Sequence, residues 1–448
     1  MNNKNKHQSL AAIIRGLYLD ATGESWIVCQ QDVEPPETGN AAERIPRDAI
    51  IVDAAQVKQS EAAQPDGNHP EQSSLFDDET TAQLFHETFA AWEFERAPSG
   101  VEAITQNMRT RNFPSCVAVK SGETLETLYW VDRNLDAARK RAADGNGSLL
   151  ETAGGRRSLT EQTPVLELNA AGRSNVVKGR IAVVTGGAQG FGEEIARGLA
   201  ASGALVFIAD LNGEGAEKVA ARINASEKRT AAVPVKVNVS DEASVEAMFE
   251  TIRETAGGLD LCISNAGVLR AGSVLEQQVK DFQFVTDINY TGYFIMVKHA
   301  ARLLKQQHLT APGWMTDIIQ INSKSGLEGS NKNGSYAGGK FGGIGLTASF
   351  ALELVAYNIK VNAICPGNFL DGPLWSDPEK GLFVQYLKAG KVPGAKNAGD
   401  VKAHYEAKVP MKRGCTGADV MRAIYYIIDQ EYETGQAVPV TGGQIMLH

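Results

Sequence analysis

From Gly179 onward the chain alternates short apolar runs of strand length with longer segments of helical spacing, and no other feature restricts its fold as tightly. Such alternation calls for a parallel sheet whose strands are joined by crossover helices, because parallel neighbours cannot be linked by a tight turn. The runs Ile181–Val184, Leu205–Ala209, Val233–Val239, Leu259–Ser264, Met315–Asn322, Ile359–Ile364 and Ala437–Val440 read as strands. Helices are expected up to Ala201, where Gly203 ends the first, and over Asp241–Thr255 with Ser240 as its cap. Further helices are expected over Asp281–Gln307 with Asn289 in its middle, from Tyr336 onward, near Asp400–Lys408 and over Ala418–Asp429. A long loop holding Trp375 completes the pattern. Ligands of such sheets bind at the carboxyl ends of the strands, so the chemistry is sought there.

The first of these strands runs into Thr185-Gly186-Gly187-Ala188-Gln189-Gly190-Phe191-Gly192. Glycines at 186, 190 and 192 let the main chain approach a pyrophosphate at a helix N-terminus, where unsatisfied N–H groups and the dipole favour an anion. The second strand ends on Asp210, whose carboxylate can bind ribose hydroxyls and repels a 2′-phosphate, which predicts NAD. Ser323 closes its strand thirteen residues before Tyr336, and Tyr336 and Lys340 stand four apart on one helix face. A neighbouring ammonium favours a phenolate, so Lys340 is expected to lower the Tyr336 pKa and ready it for proton exchange.

These residues, in this order and spacing, resemble the short-chain dehydrogenase/reductase family over about residues 178–448. The resemblance implies an α/β fold, a Rossmann-type doubly wound parallel sheet, with a catalytic set of Asn289, Ser323, Tyr336 and Lys340. It implies NAD bound by Gly186, Gln189, Gly190, Phe191, Gly192, Asp210, Asn238, Val239, the turn Asn265-Ala266-Gly267, Tyr336, Lys340 and the pair Pro366-Gly367. Asn238 departs from the pattern, since many relatives carry an aspartate there. By the same likeness Ser323 holds the reacting oxygen, and Asn289 holds a water that links Lys340 to solvent. The stretches Ser323-Lys324-Ser325-Gly326, Gly367-Asn368-Phe369-Leu370 and Val409–Cys415 are similar to those of members acting on a sugar-alcohol phosphate. Lys324, Asn368 and Arg413 are then the candidate substrate residues, with Lys332 and Lys412 behind them. The family also implies a homotetramer paired through the helices that begin near Asp281 and Tyr336.

Residues 1–150 form a separate small α+β region of no assigned role, and 151–177 read as a linker. Strands are expected at Ala11–Leu19, Trp26–Cys29 and Ala49–Val52, a helix over Asp78–Arg96, a hairpin around Ser121-Gly122 and a helix over Asn134–Ala143. His69 and His86 read as surface residues, and no metal is expected. A net charge of −9 argues against a nucleic-acid surface. Five scattered cysteines without a Cys-x-x-Cys pair argue against disulfides and zinc, and for a cytoplasmic protein without a membrane span. Two other readings stay open: a dehydrogenase of an unphosphorylated polyol or another keto or hydroxy substrate, and a sensing or assembly protein that binds NAD(H) without turnover.

Overall fold

A computed structural model describes residues 10–22, 27–32, 50–53, 111–114, 116–121, 124–132, 135–144, 149–152, 175–388, 390 and 392–446. The chain falls into two units, the first comprising 1–163, 249–259 and 302–314. It opens with α1, Leu10–Thr22, where the apolar pattern predicts a strand. A continuous apolar run has no period that separates the two, and its length decides for the helix. Ala11 to Arg15 are all enclosed, which is why no alternation shows. The Ile13 carbonyl accepts from Thr310 Oγ1 at 2.9 Å.

Six strands follow: β1 (Ile27–Asp32), β2 (Ile50–Asp53), β3 (Arg111–Pro114), β4 (Cys116–Ser121), β5 (Thr124–Asp132) and β6 (Leu149–Thr152), with α2 (Leu135–Asp144) before the last. β1, β5, β4 and β2 form one sheet in that order, and β4 and β5 pair antiparallel as the expected hairpin. β6 pairs with β3, so strand structure reaches into the segment read as linker. The helix expected over Asp78–Arg96, with His69 and His86, lies outside the described residues.

The second unit, 164–248, 260–301 and 315–448, carries the parallel sheet. Its strands are β7 (Ile181–Thr185), β8 (Leu205–Asp210), β9 (Ala232–Lys236), β10 (Leu261–Ser264), β11 (Thr316–Ile321), β12 (Ile359–Pro366) and β13 (Ala437–Val440). Their order is β13-β12-β11-β10-β7-β8-β9, so the winding reverses between β7 and β10, which opens a ligand crevice at the carboxyl edge. The helices in chain order are α3 (Gly190–Ala201), α4 (Gly213–Glu227), α5 (Glu242–Ala256), α6 (Val279–Thr286), α7 (Gly292–His308) and α8 (Gly334–Leu354). Then come α9 (Pro373–Ser376), α10 (Leu382–Lys388), α11 (Ala398–Ala407) and α12 (Gly417–Asp429). Ile195 and Leu199 of α3, Val219 of α4 and Ile424 of α12 close over Val184, Val206 and Ile208 in one apolar core.

Three local expectations are corrected. Asp241, not Ser240, caps α5, because its carboxylate accepts from Ala243 N at 3.1 Å. The long helix over 281–307 is two helices joined by a π-turn, Asp287–Thr291, centred on Asn289. The Trp375 loop contains α9 and α10, folded on a cluster of Leu370, Trp375, Phe383 and Val401.

At the amino edge of the sheet, Asp317 of β11 and Lys360 of β12 are register partners, both enclosed. Their charges lie 3.2 Å apart without hydrogen-bond alignment. Lys360 Nζ also donates to Gln430 O at 2.6 Å, just beyond α12. Burial pushes the Asp317 carboxyl up and the Lys360 charge opposes that shift. Removing one partner strands a buried charge, so Lys360→Met should lower unfolding free energy by about 3–5 kcal/mol. Urea unfolding of the full chain checks this, and an unchanged midpoint would show that the pair contributes nothing.

Candidate active site

The carboxyl ends of β7 and β10 are tied together by two side chains. Thr185 is fully enclosed, and its Oγ1 accepts from the main-chain N–H groups of Asn265 and Ala266, both at 3.0 Å. Asn265 Nδ2 returns to Thr185 O at 2.9 Å and Gly186 O at 3.2 Å. The glycine loop is thereby fixed from behind. Gly186 and Gly190 take φ of +63° and +61°, a region that L side chains rarely adopt. A Cβ at Gly192 would lie 2.0 Å from Gly186 O, so only glycine lets the loop turn directly into α3. Gln189 caps α3 without a side-chain bond, and the first-turn N–H groups face the crevice mouth expected for an anion.

Asp210 stands at the tip of β8, where its carboxylate accepts from Ala188 N at 3.0 Å and Asn212 N at 2.9 Å. The sequence places the acid there, and the structure holds it against the glycine loop. Asn238 folds back on its own turn, accepting from Ser240 Oγ at 2.8 Å, and the neighbouring Val239 is buried. Pro366 ends β12, and Gly367 N donates to Val440 O at 2.9 Å. This cradle fits a dinucleotide: a glycine turn that a Cβ would fill, a helix N-terminus, and a carboxylate one strand away.

Ser323, Tyr336 and Lys340 converge at the end of β11. Ser323 leaves the strand in extended conformation, and its hydroxyl is hydrogen-bonded to Tyr336 and accepts from Ser325 N at 3.1 Å. Lys340 is enclosed on α8, its Nζ donating to Ile321 O at 2.9 Å and lying 5.6 Å from the Tyr336 ring centre. Burial pushes the ammonium down to about 8. Burial also pushes the Tyr336 phenol up, and the bond to Ser323 pulls it back. The net lowering expected for the phenol is corrected, because burial is the larger effect.

Asn289 is buried in the π-turn. Its Oδ1 accepts from Val268 N and its Nδ2 donates to Val268 O, both at 2.8 Å. The side chain locks the turn after β10 onto α6 and α7. The substrate candidates are less closely grouped. Lys324 opens the 3-10 turn Lys324–Gly326 directly after Ser323, and Asn368 O accepts from Cys415 N at 2.9 Å. Arg413 forms a two-toothed pair with Asp419, at 2.6 and 2.9 Å, within the capping box of α12. That guanidinium holds the Asp419 carboxyl down to about 2. Lys412 Nζ is bound to Ala407 O at 2.8 Å, and Lys332 is exposed. Phe191 of the glycine loop stacks on Phe369, with ring centres 4.6 Å apart.

Sequence reasoning passed over Thr185 and Asn322. Thr185 ends an otherwise apolar strand, a signal its pattern carries, whereas Asn322 follows a strand that already holds Thr316, Asp317 and Gln320 and does not stand out. Asn322 Nδ2 donates to Lys340 O at 2.9 Å and to Gln320 Oε1 at 2.7 Å.

The short chain dehydrogenase model matches residues 180–377. Sorbitol-6-phosphate 2-dehydrogenase of Escherichia coli is 37% identical over 270 residues, 60% of this chain and 99% of that protein. The chain belongs to the short chain dehydrogenase family. A 3-oxoacyl-acyl-carrier-protein reductase of Aquifex aeolicus is 29% identical over 60% of this chain and 98% of that protein. The solved sorbitol-6-phosphate 2-dehydrogenase of Erwinia amylovora superposes with a TM-score of 0.55 and 38% identity, over 59% of this chain and 100% of that one. This short chain dehydrogenase is thus a nicotinamide-dependent oxidoreductase acting on CH–OH groups. Among the described residues no helix is long and apolar enough to cross a membrane, and no cluster could hold a metal ion. Gly192→Ala should weaken NADH binding at least about tenfold, measured by fluorescence titration. Unchanged affinity would remove the glycine loop as the cofactor site.

Proposed function

We propose that this dehydrogenase interconverts a sugar-alcohol phosphate and a ketose phosphate, of the sorbitol 6-phosphate and fructose 6-phosphate type, with NAD(H). The reading rests on one observation above others: the likeness to sorbitol-6-phosphate 2-dehydrogenase runs through nearly that protein's whole length. The Ser323–Tyr336–Lys340 constellation supplies the chemistry. A bound nicotinamide gives or takes the hydride. In reduction the Tyr336 hydroxyl gives its proton to the carbonyl oxygen, which Ser323 holds where charge develops. Lys340, charged below its pKa, stabilises the phenolate that Tyr336 leaves behind. Asn289 keeps the turn after β10 in place beneath them.

Lys324 is the cation carried forward for the phosphate, because the Arg413 guanidinium is already taken by Asp419. A lost charge-assisted contact should raise KM for fructose 6-phosphate roughly tenfold in Lys324→Met, with kcat little changed. NADH oxidation with fructose 6-phosphate, fructose and an acetoacetyl thioester side by side tests the substrate. Turnover of fructose or the thioester in preference to fructose 6-phosphate would overturn it. Phe282, Phe294, Phe341 and Leu352 lie exposed on α6, α7 and α8, the helices through which we propose tetramer assembly.

Asp210 would meet a 2′-phosphate as a like charge, so the wild type should prefer NADH and Asp210→Ala should relax that preference, read as kcat/KM for each cofactor. A wild type favouring NADPH would refute the NAD assignment. The Lys340 pKa lies near 8, so its charge is complete below that pH and lost above it. The kcat/KM for ketone reduction should hold level below about pH 8 and fall above it. Lys340→Arg keeps its charge, so residual activity in that variant should lack this limb.

A further inference from the structure

Two neighbouring residues at the end of β11 grip opposite ends of Lys340. Ile321 O receives the Lys340 ammonium at 2.9 Å, and the Asn322 carboxamide binds the Lys340 main-chain carbonyl at 2.9 Å. The same carboxamide reaches Ser323 from the other side, its Oδ1 accepting from Ser323 N at 2.8 Å. Its second donated bond goes to Gln320 Oε1 at 2.7 Å, and the Asn322 main-chain N–H makes a sheet bond to Ile364 O at 2.7 Å. One short side chain therefore joins the strand, the serine turn and the tyrosine helix.

We propose that Asn322 is a positioning residue that sets the separation between Ser323 and Tyr336. The inference rests on the roles proposed above for those two residues. The chemistry at position 322 is restrictive. The side chain must present two donors to oxygen atoms and one acceptor to an N–H, all while buried. Aspartate would set a carboxylate against two acceptor oxygens. Leucine has the shape but leaves the Ser323 N–H and the Gln320 oxygen without this partner. Glutamine is one methylene longer, and there is no slack: a Cβ at Gly326 would lie 2.2 Å from Asn322 Oδ1 and 3.1 Å from Lys340 O. The turn after Ser323 is thus seated directly on the carboxamide. Loss of the side chain frees Ser323 from the helix that carries Tyr336, and the two hydroxyls drift from the arrangement that holds one reacting oxygen.

The test is a double-mutant cycle on Asn322→Ala and Ser323→Ala, using the ketone that the wild type reduces fastest in the panel above. Misplacing a reacting group by about 1 Å costs on the order of a hundredfold, so Asn322→Ala should lower kcat roughly tenfold to a hundredfold. NADH affinity should stay within about twofold, because the glycine loop makes no bond to Asn322. With Ser323 already replaced, Asn322→Ala should cost clearly less than it does in the wild type, since only its hold on the helix that carries Tyr336 is left to lose. Asn322→Ser, which keeps a hydroxyl acceptor for the Ser323 N–H, should recover part of kcat. It carries the same comparison if the alanine variant does not fold. A full independent loss in the Ser323→Ala background, or NADH affinity falling in step with kcat, would overturn the proposal. Wild-type turnover in Ser323→Ala would instead refute the role given to the serine.

Discussion

The missing side chains along one face of α8 decide how close the tyrosine helix comes to the sheet. A Cβ at Gly343 would lie 2.5 Å from the Gln320 amide, one at Gly342 would lie 2.6 Å from the Tyr290 ring, and one at Gly339 would touch Asn289. Glycine inside a helix costs roughly 1 kcal/mol per position relative to alanine. The chain accepts this at several places in one helix, and what it gains is contact between backbones. At ordinary helix–sheet spacing Lys340 would not reach Ile321 O and Asn322 would not reach Lys340 O. Burial of the apolar faces holds α8 down, but the glycines set the distance.

That closeness has an electrostatic cost. Lys340 is enclosed with backbone oxygen as its bonded neighbour, so burial brings its pKa down to about 8 from the ordinary 10.5. The native state then binds this proton less tightly than the unfolded chain. Below pH 8 the lysine opposes folding by about 3 kcal/mol, and the opposition fades as pH rises from 8 toward the unfolded value. The Thr185–Asn265 ties and the Asp317–Lys360 contact make up rigidity elsewhere in the same sheet. The enclosed lysine is tolerated because its neighbours fix it at both ends.

Much of this was legible in the chain itself. Apolar runs punctuated by Gly186 and Gly190 announce a parallel sheet with a ligand crevice, and Tyr336 and Lys340 announce a shared helix face. What was not legible depends on depth and direction. The stretch from Ala11 to Arg15 is buried too evenly to show a period, so helix and strand read alike. The π-turn at Asn289 needs a view of Val268, a partner twenty-one residues away. Arg413 reads as a free cation until Asp419 is seen across the helix cap. The sign of the Tyr336 shift depends on how much of the ring is packed, which spacing does not reveal.

The Asp317–Lys360 pair sits at the amino edge of the sheet, while the crevice opens at the carboxyl edge. The register of β11 and β12 is thereby specified where no ligand is handled. Loops that follow the strands, from Lys324 onward and from Asn368 onward, hang from a frame that is aligned without them. For a lineage that changes its substrate, this separates two kinds of mutation. Residues at the crevice can be exchanged with little risk of sliding one strand past another, and the alignment can be kept under selection for folding alone.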